Sequence, residues 1–220
     1  MFTRVHLIGR GRVGSAVAAR LGERGVVLTE REDAELVLLC VPDRVITEVA
    51  ARLPIGPWIA HVSGATPLVA LAPHAKRFSV HPLQTFRHGG GGAQFDGAWA
   101  AVTGESDEAR AAGRQLAGGL GLRPFLLDDS RRLLYHAGAV VASNYLVTLY
   151  RAAARLFDEA GAPPEALVPL MTRTIENGFD LTGPIARGDW AVVDAHLAAL
   201  GSAVPDLAPM YRALADATRR

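Results

Sequence analysis

The 220-residue sequence has one cysteine, one lysine, a formal net charge of only +1 and no long apolar run. A single thiol, Cys40, excludes an internal disulfide framework and a cysteine-rich metal cluster, and its place near the end of the apolar run 36–41 makes it a buried structural group. With no basic excess and no single-sign tail, nucleic acid is not an expected partner. No stretch reaches the ~18 to 20 apolar residues that span a bilayer, and the chain starts in a strand-like pattern rather than a signal peptide. The expectation is a cytoplasmic protein without a membrane contact. His6, His61, His74, His88 and His196 have no metal-ligand spacing to Cys, Asp or Glu, so no metal site is expected. Lys76 is the only lysine among 23 basic residues, which restricts any amine chemistry.

What is present is a globular composition, half hydrophobic and one fifth charged, in a length that fits two modest domains. Residues 5–8 read as a short buried strand, and 13–24 follow with helical spacing at Val13, Val17 and Leu21. Residues 26–28 and 36–41 read as further strands, the latter apolar enough for burial on both faces of a parallel sheet. Asp43 is placed to cap a helix running to Leu53, and strands are expected at 58–62, 77–81, 99–102 and 124–127 with a helix at 110–120. The glycine tract 89–92 reads as a mobile loop. From Ser130 to Ala160 one long helix fits, and further helices follow the Pro163-Pro164 pair, at 190–200 and at 207–218. The expected division is a parallel-sheet domain over 1–128 and an all-helical domain over 129–220.

Gly9-Arg10-Gly11-Arg12-Val13-Gly14 matches G-x-G-x-x-G directly after a strand and opening a helix. One glycine allows the tight turn, the next admits a pyrophosphate, and the third lets helix and strand pack closely, with the helix N-terminus facing the phosphates. Arg10 and Arg12 are positioned for phosphate contacts. A glycine turn without ligand and an S-adenosylmethionine loop are the alternatives. Glu30, at the end of the second strand, suits ribose hydroxyls, whereas Arg31 beside it suits a 2′-phosphate and inclines the reading to NADP over NAD. Only residues 31–35 separate the second strand from the next, too few for a parallel crossover. The third strand is therefore expected on the far side of the first, leaving the adenine side of the cofactor site thin.

The chain resembles a bacterial family with a Rossmann-like N-terminal half and a C-terminal domain of unknown function 2520. The resemblance covers nearly the whole chain. It is carried by the glycine turn, by Val41-Pro42-Asp43, by His81-Pro82-Leu83-Gln84-Thr85-Phe86, by Tyr135-His136 through Ser143-Asn144-Tyr145-Leu146, and by the stretch from Leu181 to Asp189. That family is similar to pyrroline-5-carboxylate reductases, 3-hydroxyacid dehydrogenases and ketopantoate reductases. The resemblance implies a Rossmann-type α/β domain followed by an all-α dimerisation-type domain, a nicotinamide cofactor, and hydride transfer. Fold alone does not fix a substrate.

Hydroxyacid dehydrogenases set a catalytic lysine one turn before an asparagine on the long helix; here Val140 stands one turn before Asn144. His136 then becomes the expected proton donor, since imidazole titrates near neutrality. His136, Ser143 and Asn144 lie at i, i+7 and i+8, which on a regular helix is nearly one face. A polar patch serving a helix contact is the alternative. His81 with Gln84 and Thr85 follows a strand at the carboxyl end of the sheet and reads as substrate-binding, or as a strand-to-loop corner. Arg187 suits a substrate carboxylate, or an ion pair with Asp189. Ser63 lacks the flanking glycines of a nucleophile elbow and reads as a border of the cofactor cleft, together with Val41 and Pro42.

The sequence thus points to an NAD(P)-dependent reductase of a small carbonyl or imine compound bearing a carboxylate. The long apolar helices of a small second domain add an expected homodimer. A cofactor-binding sensor or partner protein without turnover is the second reading.

Overall fold

The structure, a computed structural model, describes residues 2–30 and 33–219, which gather into two compact units, Met1–Val141 and Ala142–Arg220. The first unit opens with β1 (Arg4–Ile8), α1 (Arg12–Glu23) and β2 (Val27–Leu28), the expected strand, glycine turn, helix and strand. There follow β3 (Leu36–Leu39), α2 (Ile46–Ala51), β4 (Trp58–His61), β5 (Arg77–Leu83), β6 (Trp99–Gly104), α3 (Asp107–Leu120) and β7 (Arg123–Leu126). The seven strands form one sheet in the order β2-β1-β3-β4-β5-β6-β7. β3 does lie on the far side of β1 from β2, as the short link required, and the two-residue β2 is the sheet's edge.

The expected parallel-sheet domain is present, with one reversal: β6 runs antiparallel to β5, because the chain between them holds only the short 3-10 turn Gly92–Phe95 and no crossover helix. α3 then supplies the crossover that makes β7 parallel to β6. The glycine tract is packed at its last residue: Gly89 and Gly91 are exposed, but the buried Arg20 donates from Nη2 to the carbonyl of the buried Gly92 (2.7 Å) and pairs with Asp96 (2.8 Å). A Cβ on Gly92 would lie 2.9 Å from the Arg20 Cα, so glycine lets the tract press on α1. Finally, Asp43 caps no helix; it begins the 3-10 turn Asp43–Val45, and α2 starts only at Ile46.

Strand alternation sends Val5, Leu36, Leu38, Ala60, Phe78 and Val80 to one face of the sheet, where α1 and α3 cover them. Val37, Leu39 and Ile59 point to the other face, under Ile46, Ala50, Leu68 and Leu71. That double cover is why all four β3 residues are buried and read as a continuous apolar run. After the turn Asp129–Arg131, α4 (Arg132–Val140) completes the first unit, so the compact division falls at Val141 where the sequence reading had placed it after residue 128. The expected single helix is interrupted by a π turn, Val141–Tyr145, before α5 (Leu146–Glu159). A π turn departs from the 3.6-residue period. The single face inferred for His136, Ser143 and Asn144 was drawn with that period, and two of the three lie within the π turn.

The second unit is helical, as expected: α5, α6 (Leu167–Glu176), α7 (Trp190–Ala203) and α8 (Ala208–Thr218). Among its described residues the buried apolar side chains are few, Leu167, Val193, Leu200 and Val204 with two alanines. Tyr145, Val147, Val168, Leu170, Ile175, Phe179 and Leu181 are exposed. No helix of the described residues is long and apolar enough to cross a membrane.

His61, the last residue of β4, lies on the face covered by α2 and is fully buried. Its Nδ1 accepts from the Ser63 N–H at 3.2 Å, which leaves Nε2 without a partner, and burial, with the Arg132 charge second, pushes its pKa down to about 3. The folded chain therefore refuses a proton that the unfolded chain accepts below its ordinary value near 6.5. Stability is lost as the pH falls from there toward about 3, at roughly 1.4 kcal/mol per pH unit for this one group. Urea unfolding of the parent and of His61→Gln across that range should show a shallower acid slope in the variant. Equal slopes would remove His61 as the cause.

Candidate active site

β1, β3, β4 and β5 are parallel, so their carboxyl ends share one edge of the sheet, and the chain changes side at β1. Such a switch point is where open α/β sheets bind ligands. At this edge stand the turn Gly9–Gly14 after β1, Val41 and Pro42 after β3, Ser63 and Gly64 after β4, and His81 in the last part of β5.

The three glycines of the turn do different work. Gly9 has φ +100°, and a Cβ there would fall 2.3 Å from the Cys40 carbonyl oxygen; one on Gly14 would fall 2.0 Å from the Gly9 carbonyl oxygen. Both are required by the protein's own close packing. Gly11 is different: a Cβ there meets nothing within 4 Å, and it is the N-cap of α1 without a side-chain cap. A glycine that nothing in the chain demands, before uncapped helix N–H groups, fits a turn shaped for an approaching anion. Arg10 and Arg12 are exposed beside it. Glu30 is exposed after β2, where the ribose acid was expected, and Arg31 lies outside the described residues. Cys40 is the structural thiol expected, with burial pushing its pKa up to about 12.

The second feature is a polar cluster brought together by α4. Arg132 is 1% exposed, and its Nε donates to Asp129 Oδ1 (3.0 Å), Nη1 to the Ser63 carbonyl (3.0 Å), and Nη2 to Ser79 Oγ. Asp129 in turn accepts from the Leu68 N–H (3.1 Å). Three and four residues further on the same helix face stand Tyr135 and His136. The Tyr135 hydroxyl and His81 Nδ1 share a 2.7 Å hydrogen bond, and the His81 and His136 rings meet edge to face with centroids 5.9 Å apart. Gly64 lies against both: a Cβ on it would come within 2.5 Å of His136 Cδ2 and 2.8 Å of His81 Nε2. Burial, then the neighbouring His136 and Arg132, pull the His81 pKa down to about 4, while burial raises Tyr135 to about 12. Both groups are therefore uncharged near neutral pH.

Of the residues singled out in the sequence, the structure brings His81 and His136 together. Ser63 is at the same edge, but its hydroxyl is used in its own turn, bonding Thr66 Oγ1 (2.9 Å) and accepting from the Thr66 N–H (3.0 Å). Gln84 is tied to its loop, donating to the Gln94 carbonyl and accepting from the Thr85 N–H. Ser143, Asn144 and Arg187 belong to the second unit. Ser143 and Asn144 lie in the π turn. Arg187 is exposed, and the ion pairs among the described residues of that unit, Arg155–Asp206 and Arg173–Glu176, do not include it. Among the described residues no group of three or more His, Cys, Asp or Glu is gathered for a metal. Sequence reasoning missed Arg132, Tyr135 and Gly64. The spacing Arg132-x-x-Tyr135-His136 was the available signal for the first two.

No curated protein matches the sequence. Solved structures do match over nearly the whole chain. An oxidoreductase of Bacteroides fragilis, described as a proposed NADP enzyme, has a TM-score of 0.81 at 21% identity, covering 99% of this chain and 98% of its own. A semialdehyde dehydrogenase NAD-binding protein of Cupriavidus necator, in complex with calcium and NAD, gives 0.64 at 18%, over 96% and 99%. The 1-pyrroline-5-carboxylate reductase of Streptococcus pyogenes gives 0.62 at 17%, over 98% of each. At these identities the likeness establishes the Rossmann-type fold. Residues 98–218, more than half of the chain, match the model of domain of unknown function 2520, and the protein belongs to that family.

Proposed function

We propose that the protein is an NAD(P)-dependent oxidoreductase that reduces a small carbonyl or imine compound carrying a carboxylate. The observation that carries this reading is the open approach to Gly11, in a turn whose other glycines are closed by their own neighbours, at the same sheet edge as the His81–His136 pair. The relatives of like fold, one described as an NADP oxidoreductase and one bound to NAD, support the cofactor class.

The residues present fit a dinucleotide. The N–H groups opening α1 would take the pyrophosphate, with Arg10 and Arg12 beside it, and Val41, Pro42 and Ser63 would border the nicotinamide half. Glu30 suits a ribose hydroxyl; the run of arginines, with Arg31 on sequence grounds, favours NADP ahead of NAD. When bound, the reduced nicotinamide supplies a hydride. The chain's part is to orient the substrate, exclude water and hold a proton, which we assign to His136. On the sequence argument alone, Ser143 and Asn144 orient the substrate and Arg187 binds its carboxylate. A second copy of the chain is part of the proposal, because the second unit leaves so many large apolar side chains exposed for its size. The short β2 edge favours weak cofactor affinity, which keeps a cofactor-binding partner protein as the second reading.

Calorimetric titration with NADPH and NADH should show binding, lost by at least tenfold in Gly11→Asp, whose carboxylate would occupy and repel the phosphate position without touching the fold. Absence of binding to either dinucleotide would sink the oxidoreductase reading, whereas binding without oxidation by any carbonyl or imine would favour the partner-protein reading. Light scattering on the same sample should give the mass of two chains; a single-chain mass would remove the dimer.

A further inference from the structure

Within the oxidoreductase reading, carbonyl and imine substrates differ in charge. An imine is reduced as its protonated, cationic form, and the positive charge disappears as hydride arrives. A carbonyl starts neutral, and negative charge develops on its oxygen. A site therefore favours one or the other by the charge it already holds.

The groups facing His81 can be named from each element around it. α4 contributes Arg132, Tyr135 and His136; β4 contributes His61; Asp43 follows β3. Arg132 carries a permanent charge and is almost wholly buried, while its partner Asp129 is partly open to solvent. Asp43 alone opposes the positive influence on His81. The surroundings that keep a second positive charge off His81 also penalise a cationic substrate beside it, and they favour an oxygen that turns negative.

Geometry adds direction. Tyr135, uncharged, keeps its hydroxyl proton 2.7 Å from His81 Nδ1, and donation of that proton to Nδ1 would place the imidazole proton on Nε2. Nε2 is the ring nitrogen for which no hydrogen-bond partner is found among the described residues, and it packs against Gly64, where a Cβ would come within 2.8 Å of it, so only glycine fits beside the ring. Arg132 fixes the helix that carries Tyr135 to β4 and β5 through Ser63 and Ser79.

We propose that His81 is a neutral hydrogen-bond donor, presenting Nε2–H to the oxygen of an uncharged carbonyl substrate, and that Tyr135 is the positioning residue that fixes its tautomer. The dinucleotide, when bound, would supply a hydride to the carbonyl carbon, and the C=O π pair would then move onto oxygen. His81 stabilises that oxygen and keeps its own proton. The proton that completes the alcohol comes from His136, which regains one from solvent. His81 and His136 thus have separate tasks, a fixed donor and a proton source.

The test uses the full chain labelled with nitrogen-15, read by NMR through the imidazole nitrogens, which report tautomer and charge directly. The parent should show His81 with its proton on Nε2, neutral from pH 7 until the pH approaches about 4. Tyr135→Phe keeps the ring packed on Phe125 but removes the hydroxyl, and should give a mixture of tautomers at His81. A proton on Nδ1 in the parent, or an unchanged tautomer in Tyr135→Phe, would overturn the positioning role. Oxidation of NADPH is then followed with a panel of 2-oxo acids and a panel of cyclic imines. Turnover of the oxo acids, with kcat reduced about tenfold in Tyr135→Phe and the KM for NADPH unchanged, supports the assignment; preference for the imines, or turnover of neither, overturns it. The titration with NADPH alone separates the two levels, since failure to bind would remove the oxidoreductase reading while leaving the tautomer result standing.

Discussion

A buried guanidinium joins the parts of the candidate site. Arg132 is the largest fully buried side chain, and it ties the start of α4 to the loop after β4 and to β5. Burying a charge is costly unless it is paired and its donors are used. Here Asp129 pairs it, the Ser63 carbonyl and Ser79 hydroxyl accept from it, and Asp129 is itself held by the Leu68 N–H. The return on that arrangement is position: with Arg132 fixed, Tyr135 and His136 on the same helix face are set over His81. The same charge also depresses the basicity of His61 and His81, so one residue governs both the geometry and the electrostatics of the cluster.

The phosphate turn depends on a different constraint, close backbone contact. Gly9 and Gly14 are glycine because neighbouring carbonyl oxygens occupy the space of a side chain, whereas Gly11 faces open space. The two features reach the same edge because β1, β3, β4 and β5 run in parallel. Had β5 been the reversed strand, in place of β6, His81 would stand at the opposite edge from the turn.

The sequence made much of this legible where local rules are strong. The turn was visible because three glycines at fixed spacing followed a strand, and the position of β3 beyond β1 followed from the length of the link after β2. The four helices of the second unit followed from proline and glycine punctuation. What was not legible depended on contacts distant in sequence. The reversal of β6 follows from a missing crossover helix, which the glycine tract disguised as a loose loop, and the end of that tract is packed because Arg20, far away on α1, donates to the Gly92 carbonyl. The π turn at Val141–Tyr145 has no proline or glycine to announce it, so a helical period was carried through it. Arg132 looked like one more arginine in an arginine-rich chain; nothing local distinguishes a buried guanidinium from an exposed one. Gly64 likewise gains its meaning only from two histidines brought against it.

The central claim is that the glycine turn and the His81–His136 pair are two ends of one nicotinamide site. The most direct measurement follows the imidazole nitrogen signals of the labelled protein during saturation with NADPH. The account predicts that the signals of His81 and His136 move together while those of His74, buried under α2 and bonded to the Ala50 carbonyl, stay in place. Saturable binding of the dinucleotide with His81 and His136 unmoved would contradict it, by showing that the turn holds a ligand whose reactive end lies elsewhere.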